Sequence, residues 1–260
     1  MRKLMALLKF AAMALVSIAT IPFQALILLF AKGKASYFIP QFWHKMISCI
    51  LGLETEFIGK PVAETQVFFV GNHLSHFDIF ILGSRIRASF VAKDDLAKWP
   101  VIGFLCRLQQ TAFISRSSGQ ASKARNNIRS MLDRGKNIIL FPEGTSTRGE
   151  TVLDFKSSLF SLPLEYAEKG VVIQPFTIKL IEVDGVPAQC TDLRDLYSWD
   201  RDNPIDMGPH IWNFAQTKGA KLQIIFHDPV MVQTGEDRKS LSQRLQEIVA
   251  SPLVQSPAAV

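Results

Sequence analysis

A histidine and an aspartate stand five positions apart in the segment GNHLSHFD, at residues 71–78, directly after the apolar run VFFV. On a regular helix this spacing would place His73 and Asp78 about 140° apart. The two side chains can meet only if His73 lies in a strand-to-helix loop and Asp78 lies in the first turn of the helix. A carboxylate that holds an imidazole fixes its tautomer and stabilises the imidazolium that forms when the ring takes a proton. The pair is therefore a candidate general base for an alcohol substrate.

The sequence offers no good serine nucleophile to accompany this base. It contains no G-x-S-x-G elbow, and Ser75 lies only two positions from His73, where it is better suited to a local cap. We therefore expect the base to activate a substrate hydroxyl without an acyl-enzyme intermediate. A metal site made of His73, His76 and Asp78 is an alternative, but no further cluster with ligand spacing supports it, and we predict no metal. A purely structural pair is a second alternative.

A second polar loop, FPEGTSTRGE at residues 141–150, also follows an apolar run. Pro142 ends the predicted strand, and Gly144 permits backbone angles that other residues avoid. Such a loop can present hydrogen-bond donors to a phosphate, whereas the Glu143 carboxylate is suited to orienting a donor or the substrate hydroxyl. Arg116 follows the apolar run AFI, and its guanidinium could bind a phosphate in bidentate fashion. The alternatives are a surface turn with a salt bridge and a solvated arginine.

The elements that must position these loops alternate along the chain. Short apolar runs predict strands, and helical periodicity predicts helices. The predicted strands are at residues 67–70, 90–92, 112–114, 138–141, 171–178 and 222–226, and the predicted helices at 37–53, 120–133, 157–168 and 239–250. The alternation favours an α/β fold with a mixed, largely parallel sheet covered by helices, which places both loops at carboxyl ends of strands. Residues 182–210 show no clear period and predict a long loop or insertion.

The amino-terminal segment is apolar, with no charged residue at positions 10–31. A membrane span needs about 20 apolar residues, so this run is long enough. Pro22 and Gln24 interrupt it, so a kinked or re-entrant helix pair is an alternative to a span. We predict an N-terminal membrane-associated helical segment at residues 1–53. An α/β domain at residues 54–250 and a tail at residues 251–260 follow it.

The charge and the cysteines restrict the partners and the compartment. The net charge of +6 suits an anionic bilayer, a phospholipid head group or coenzyme A. We see no basic and aromatic face typical of nucleic-acid binding, and we predict no nucleic-acid partner. Cys49, Cys106 and Cys190 are widely spaced, so neither a disulfide scaffold nor a zinc site is expected. This favours a reducing, cytoplasmic-side environment.

Both polar loops resemble sequence blocks of the glycerolipid acyltransferases. The segment NHLSHFD at residues 72–78 resembles the NHxSxxD form of the family's H-x₄-D motif, and FPEGT at 141–145 resembles its FPEGT block. The second block is matched by VAK at 91–93, WP with IG at 99–103 and FISR at 113–116, and the fourth by VVIQPF at 171–176. Four blocks in the right order cover about residues 66–180, which is far more specific than any one block.

The most similar family is 1-acylglycerol-3-phosphate acyltransferase. The resemblance implies a membrane-bound enzyme of phospholipid synthesis that transfers a fatty acyl group from acyl-coenzyme A or acyl carrier protein to the free hydroxyl of lysophosphatidic acid, giving phosphatidic acid. It implies a bacterial inner membrane, a catalytic domain on the cytoplasmic side, and no cofactor beyond the co-substrate. His73 would be the base and Asp78 its partner. The substrate-binding residues would be Lys93, Arg116, Glu143, Gly144, Thr145, Arg148 and, on the acyl side, Pro175.

The sequence departs from this family at several positions. Gln110 stands where the family often has glycine, and Arg148 comes two places later than the usual arginine. The segments at 206–207 and 209–212 are similar to those of bacterial enzymes that acylate lyso-ornithine lipid, which carries no phosphate. Lyso-ornithine lipid or another lysolipid is therefore the alternative acceptor. A catalytically inactive membrane-binding protein and a lipid hydrolase are further alternatives from other classes.

Overall fold

Eight strands form one sheet in the part of the chain that the computed structural model describes, which is residues 1–114, 118–189, 191–200 and 203–254. The strands are β1 (Leu53–Ile58), β2 (Val67–Gly71), β3 (Ala88–Lys93), β4 (Ala112–Ile114), β5 (Asn137–Leu140), β6 (Val172–Val183), β7 (Val186–Pro187) and β8 (Ala220–Phe226). Their order is β1-β8-β6-β2-β5-β3-β4, with β7 beside β6. Strands β2 to β6 run parallel, whereas β8 runs antiparallel to β6 and parallel to β1. The predicted mixed, largely parallel sheet is confirmed.

Helices cover both faces of this sheet. They are α1 (Arg2–Phe30), α2 (Phe38–Leu51), α3 (Asp78–Arg85), α4 (Pro100–Leu108), α5 (Ser118–Asp133), α6 (Ser161–Ala167), α7 (Thr191–Tyr197), α8 (Met207–Ala215) and α9 (Arg238–Val254). Successive side chains of β2 point alternately to the two faces of the sheet. Phe69 packs in the core beneath α2, α3, α7 and α8, and Phe68 packs in the core beneath α5, α6 and α9. This double burial explains why β2 has a continuous apolar run in place of an alternating pattern.

The predicted loop at residues 182–210 is wrong. Strand β6 continues to Val183, a tight hairpin leads into β7, and α7 and the start of α8 follow. Both helices are short, and their buried side chains, such as Tyr197 and Phe214, pack on Phe77 of a distant segment. Helices this short owe their stability to tertiary packing, so they leave little periodic signal in the sequence.

Strand β1 was not predicted, because its sequence LETEFI lacks an apolar run. It pairs with β8 at the edge of the sheet and buries only alternate side chains. An edge strand with one solvated face needs few apolar residues.

The amino-terminal helix is continuous from Arg2 to Phe30, with Pro22 inside it, so it is not a re-entrant pair. By length and composition α1 is the one described helix that could cross a membrane. It also lies against the domain over most of its length. Lys9 Nζ donates to the Thr217 carbonyl at 2.9 Å, and Gln24 Nε2 donates to the Leu108 carbonyl at 2.9 Å.

Gln110 explains one departure from the family pattern. Its φ is +62°, a left-handed conformation that favours glycine. Its amide donates to Ser36 Oγ at 3.0 Å and accepts a hydrogen bond from the Lys136 ammonium. These bonds offset the strain of a non-glycine residue at this position.

Candidate active site

The predicted pair of His73 and Asp78 meets in the loop after β2. His73 Nδ1 lies 2.8 Å from Asp78 Oδ2, with His73 in the loop and Asp78 as the first residue of α3. Asp78 is fully buried, whereas 20% of the His73 side chain is exposed. Among the described residues no hydrogen-bond partner approaches His73 Nε2, so this nitrogen is the one available to a substrate hydroxyl.

Backbone and side-chain donors surround the Asp78 carboxylate. Oδ2 accepts hydrogen bonds from the N–H groups of Leu74 at 2.7 Å and Ser75 at 3.0 Å, in addition to its contact with His73. Oδ1 accepts a hydrogen bond from the Tyr197 hydroxyl at 2.7 Å. Sequence analysis missed Tyr197, because it lies 119 positions after Asp78 and belongs to no recognisable motif.

Asn72 anchors the beginning of the same loop to the sheet. Its side chain is fully buried, with Oδ1 accepting from the Ile178 N–H at 2.7 Å and Nδ2 donating to the Ile178 carbonyl at 2.9 Å. These bonds continue the β2–β6 pairing one residue beyond Gly71. At Gly71 a Cβ atom would lie 2.4 Å from the Phe176 ring, so glycine is required for this close approach.

The two polar loops lie side by side. Glu143 is 2% exposed, and its Oε1 accepts a hydrogen bond from the His73 N–H at 2.9 Å. The Thr147 N–H in turn donates to the His73 carbonyl at 2.8 Å. The Phe141 ring stacks on the His73 imidazole with centroids 4.1 Å apart and planes 15° apart. The second loop therefore fixes both the backbone and the ring plane of His73.

Arg148 points toward α7 and the residues that follow it. Its Nη2 lies 2.9 Å from Asp195 Oδ2, and its Nε lies 3.4 Å from Asp200 Oδ2. The Arg194 guanidinium donates to the Arg148 carbonyl, and the Ser146 hydroxyl donates to the Trp199 carbonyl. The second loop, which resembles the FPEGT block, is thus held to the segment at residues 182–210.

The other predicted site residues occupy different positions around this centre. Lys93 is exposed at the end of β3, opposite Ile114 of β4. Thr145 is half-buried in the second loop, and Pro175 is buried within β6 opposite Val70. Arg116 lies outside the described residues.

Lys156 is a further cation at the second loop that sequence analysis did not identify. Its N–H donates to the Pro142 carbonyl at 2.9 Å, and its side chain is folded over Gly144. A Cβ atom on Gly144 would lie 2.2 Å from the Lys156 Nζ. Lys156 stands just before a 3₁₀ turn and outside the second loop, so no local sequence pattern indicates this contact.

His76, the other histidine of the motif, faces away from the pair. Its Nε2 lies 3.4 Å from His210 Nδ1, and His210 Nε2 lies 3.0 Å from the Asp195 carbonyl and 3.1 Å from that of Ser198. Burial, followed by the charges of His210 and His73, holds the pKa of His76 well below its usual range. Within the described ranges no three His, Cys, Asp or Glu side chains are arranged to hold a metal ion.

The fold is shared with a crystal structure of known class. The 1-acyl-sn-glycerophosphate acyltransferase of Thermotoga maritima superposes with a TM-score of 0.66 at 20% identity, covering 98% of this chain and 97% of that one. A family model described as Acyltransferase matches residues 54–179. The fold class is therefore that of the acyltransferases.

Proteins that are similar to most of the chain are also acyltransferases. Lyso-ornithine lipid O-acyltransferase of Brucella abortus (strain 2308) is 32% identical over 248 residues, which is 94% of this chain and 91% of that protein. The 1-acyl-sn-glycerol-3-phosphate acyltransferase of Neisseria gonorrhoeae is 25% identical over 202 residues, covering 76% of this chain and 73% of that protein. The chain belongs to the acyltransferase family, and it is an acyltransferase.

Proposed function

We propose that this enzyme transfers a fatty acyl group from a thioester donor, acyl-coenzyme A or acyl carrier protein, to the free hydroxyl of lyso-ornithine lipid. The observation that carries acyl transfer to a hydroxyl is the contact of His73 Nδ1 with the buried Asp78, at 2.8 Å, with Nε2 left open. This arrangement is suited to a base that must take one proton and return it.

The proposed reaction balances without a covalent enzyme intermediate. The acceptor oxygen attacks the thioester carbonyl carbon while His73 Nε2 takes the hydroxyl proton. Asp78 stabilises the imidazolium through Nδ1. The tetrahedral intermediate collapses, the carbon–sulfur bond breaks, and the leaving thiolate takes the proton from Nε2. The products are an ester and a free thiol, and His73 is again neutral.

The surroundings of Arg148 support an acceptor without a phosphate. Asp195 and Asp200 both lie within 3.4 Å of its guanidinium, so the three side chains together carry a charge of −1. A phosphate would be repelled by the two carboxylates. Ornithine carries a carboxylate and an ammonium, which suit Arg148 and the aspartates respectively. The Brucella relative, which acts on lyso-ornithine lipid by its name, points the same way.

Lysophosphatidic acid, which the sequence resemblance favoured, is the second candidate acceptor. The Neisseria relative, whose name assigns it a 1-acylglycerol-3-phosphate acceptor, supports it. The Lys156 ammonium lies over Gly144, the residue after the buried Glu143, and could bind either a phosphate or a carboxylate, so it is compatible with both acceptors. We propose that Lys93, Thr145 and Pro175 contribute to substrate binding, as the family resemblance implies.

We propose that the enzyme lies on the cytoplasmic leaflet of a bacterial inner membrane through residues 1–53. Because α1 contacts the domain from Lys9 to Gln24, entry into one leaflet fits it better than a perpendicular span. Its outward face is apolar. The exposed side chains are Leu4, Leu7, Leu8, Leu15, Ile18, Phe23, Leu26, Leu29 and Phe30.

The experiment that tests this function is acyl transfer by the purified enzyme in detergent. The donors would be coenzyme A and acyl carrier protein, each carrying a labelled acyl group. The acceptors would be lyso-ornithine lipid and lysophosphatidic acid. We expect product from lyso-ornithine lipid and a loss of about 10²–10⁴-fold in kcat for His73→Ala. Product from lysophosphatidic acid alone would overturn the proposed acceptor and keep the mechanism. No product from either, with folded protein, would favour an inactive membrane-binding protein.

A pair of variants separates the two acceptors. Asp200→Asn removes one carboxylate beside Arg148 and keeps the shape of the side chain. We expect it to raise the KM for lyso-ornithine lipid, since only this acceptor has an ammonium, and to leave or lower the KM for lysophosphatidic acid. Asp154→Asn, at an exposed position that accepts a hydrogen bond from Gln246, is the matched control. Equal effects of Asp200→Asn on both acceptors would contradict the proposed head-group recognition.

A further inference from the structure

A buried tyrosine completes the hydrogen-bond shell of the catalytic carboxylate. Tyr197 and Asp78 are both 0% exposed, and the tyrosine hydroxyl lies 2.7 Å from Asp78 Oδ1. Oδ2 already has three partners, so Tyr197 is the side chain that occupies the other oxygen among the described residues. Tyr197 is the last residue of α7, within the segment at residues 182–210 that was predicted to be a loop or insertion.

The hydroxyl can act only as a donor in this contact. An ionised carboxylate has no proton to give, so the hydrogen in the bond belongs to the phenol. Burial and the neighbouring charge of Asp78 raise the pKa of Tyr197 well above its ordinary value, so the phenol stays protonated near neutral pH.

The surroundings of Tyr197 hold its ring in place. The ring centroid lies 5.6 Å from that of Phe77 and 5.9 Å from that of Phe214. One turn earlier in α7, the buried Arg194 donates to the carbonyls of Ala188 and Arg148. A tyrosine fixed at both its ring and its helix can set the orientation of a carboxylate more strictly than a mobile side chain or a water molecule.

We propose that Tyr197 is a positioning residue for acyl transfer, whose hydroxyl fixes the Asp78 carboxylate so that Oδ2 faces His73 Nδ1. Without this bond only the three contacts to Oδ2 hold the carboxylate, so its orientation, and with it the direction of the imidazole, is less strictly fixed. Tyr197 is fully buried and its hydroxyl is bonded to Asp78 Oδ1, so we expect its effect to pass through Asp78 and His73. The inference rests on the proposed roles of these two residues.

The test compares Tyr197→Phe with Tyr166→Phe. Both tyrosines are buried at the ring and donate to an aspartate, since the Tyr166 hydroxyl lies 2.6 Å from Asp133 Oδ1 on the opposite face of the sheet. We expect Tyr197→Phe to lower kcat about tenfold, the effect of one lost hydrogen bond, with both substrate KM values within about twofold. Tyr166→Phe should keep the wild-type kcat, although both variants lower the Tm.

A double-mutant cycle shows whether the effect passes through Asp78. In an Asp78→Asn background, Tyr197→Phe should cost less than twofold in kcat, because the carboxylate it positions is gone. If Tyr197→Phe keeps the wild-type kcat, or lowers it by the same factor in both backgrounds, the inference is overturned. His73→Ala separates this failure from failure of the mechanism: an active His73→Ala enzyme would overturn the proposed base itself, whatever Tyr197 does. Circular dichroism and Tm verify that each variant is folded.

Discussion

The His73 backbone N–H donates to Glu143 Oε1 at 2.9 Å, while Glu143 Oε2 accepts from the Leu153 N–H at 2.8 Å. One buried carboxylate of the second loop thus binds the backbone of the loop that carries the base and the backbone of Leu153, which follows the second loop. Both of its oxygens face backbone donors. We therefore propose that Glu143 acts by holding these loops together more than by touching the acceptor.

The pH dependence of stability reports on this carboxylate. Burial raises the pKa of Glu143 to about 7, against the opposing effect of the hydrogen bonds from Leu153 and His73. Since its pKa in the folded state is raised, its contribution to stability is fully present below about pH 4.5 and is lost as the pH rises through 7. The loss is on the order of 3 kcal/mol. Glu143→Gln should remove this part of the pH dependence, measured as the difference in unfolding free energy between pH 5 and pH 8. An unchanged difference would contradict the assignment.

Gly144→Ala should impair the site and the fold, each for a separate reason. The φ of Gly144 is +69°, so alanine is strained by about 1 kcal/mol, and its Cβ would displace the Lys156 ammonium. Gly170→Ala is the matched control, because its φ is +87° and nothing lies within 4 Å of the added Cβ. We expect similar losses of Tm in both variants and a raised acceptor KM only in Gly144→Ala. Equal KM values in the two variants would exclude Lys156 from acceptor binding.

Asn72→Ala should destabilise the protein by roughly 2–4 kcal/mol, because it leaves the buried N–H and C=O of Ile178 without partners. Activity per folded molecule should fall as well, since the loop before His73 loses its anchor. Asn137→Ala is the control: this buried residue bonds the Val67 N–H and the Arg87 carbonyl at the far end of the strands. Chemical unfolding, and activity measured under one set of conditions, would compare the two variants. Full activity of folded Asn72→Ala would show that the anchor does not position His73.

Helix α4 contacts α1 and also exposes apolar side chains, with Val101 70% and Phe104 44% exposed. Changing both to serine should weaken association with phosphatidylglycerol-containing vesicles about tenfold or more, because each apolar side chain contributes roughly 1–2 kcal/mol on burial in the interface. Met231→Ser, at a residue 77% exposed outside this surface, should have no effect. Co-sedimentation measures the difference. Equal binding of the double variant and the wild type would place α4 outside the membrane contact.

Much of the fold was predictable because its central strands are buried on both faces. Strands such as β2 and β5 then show as short, continuous apolar runs between polar loops. Strand β1 and helices α7 and α8 were not predictable in this way. Their stability comes from packing on one side only, and short elements of this kind carry too few residues to show a period.

The meeting of His73 and Asp78 follows from local sequence, because the short loop at residues 72–77 between a strand and a helix keeps the two side chains within reach of each other. The third partner, Tyr197, and the carboxylates beside Arg148 come from the segment around α7, far along the chain. A hydrogen bond requires two atoms to lie about 3 Å apart, and spacing along the chain restricts such distances only over a turn or two. For distant segments it is the joint burial of α3, α7 and α8 on one face of the sheet that brings the donors to the carboxylate.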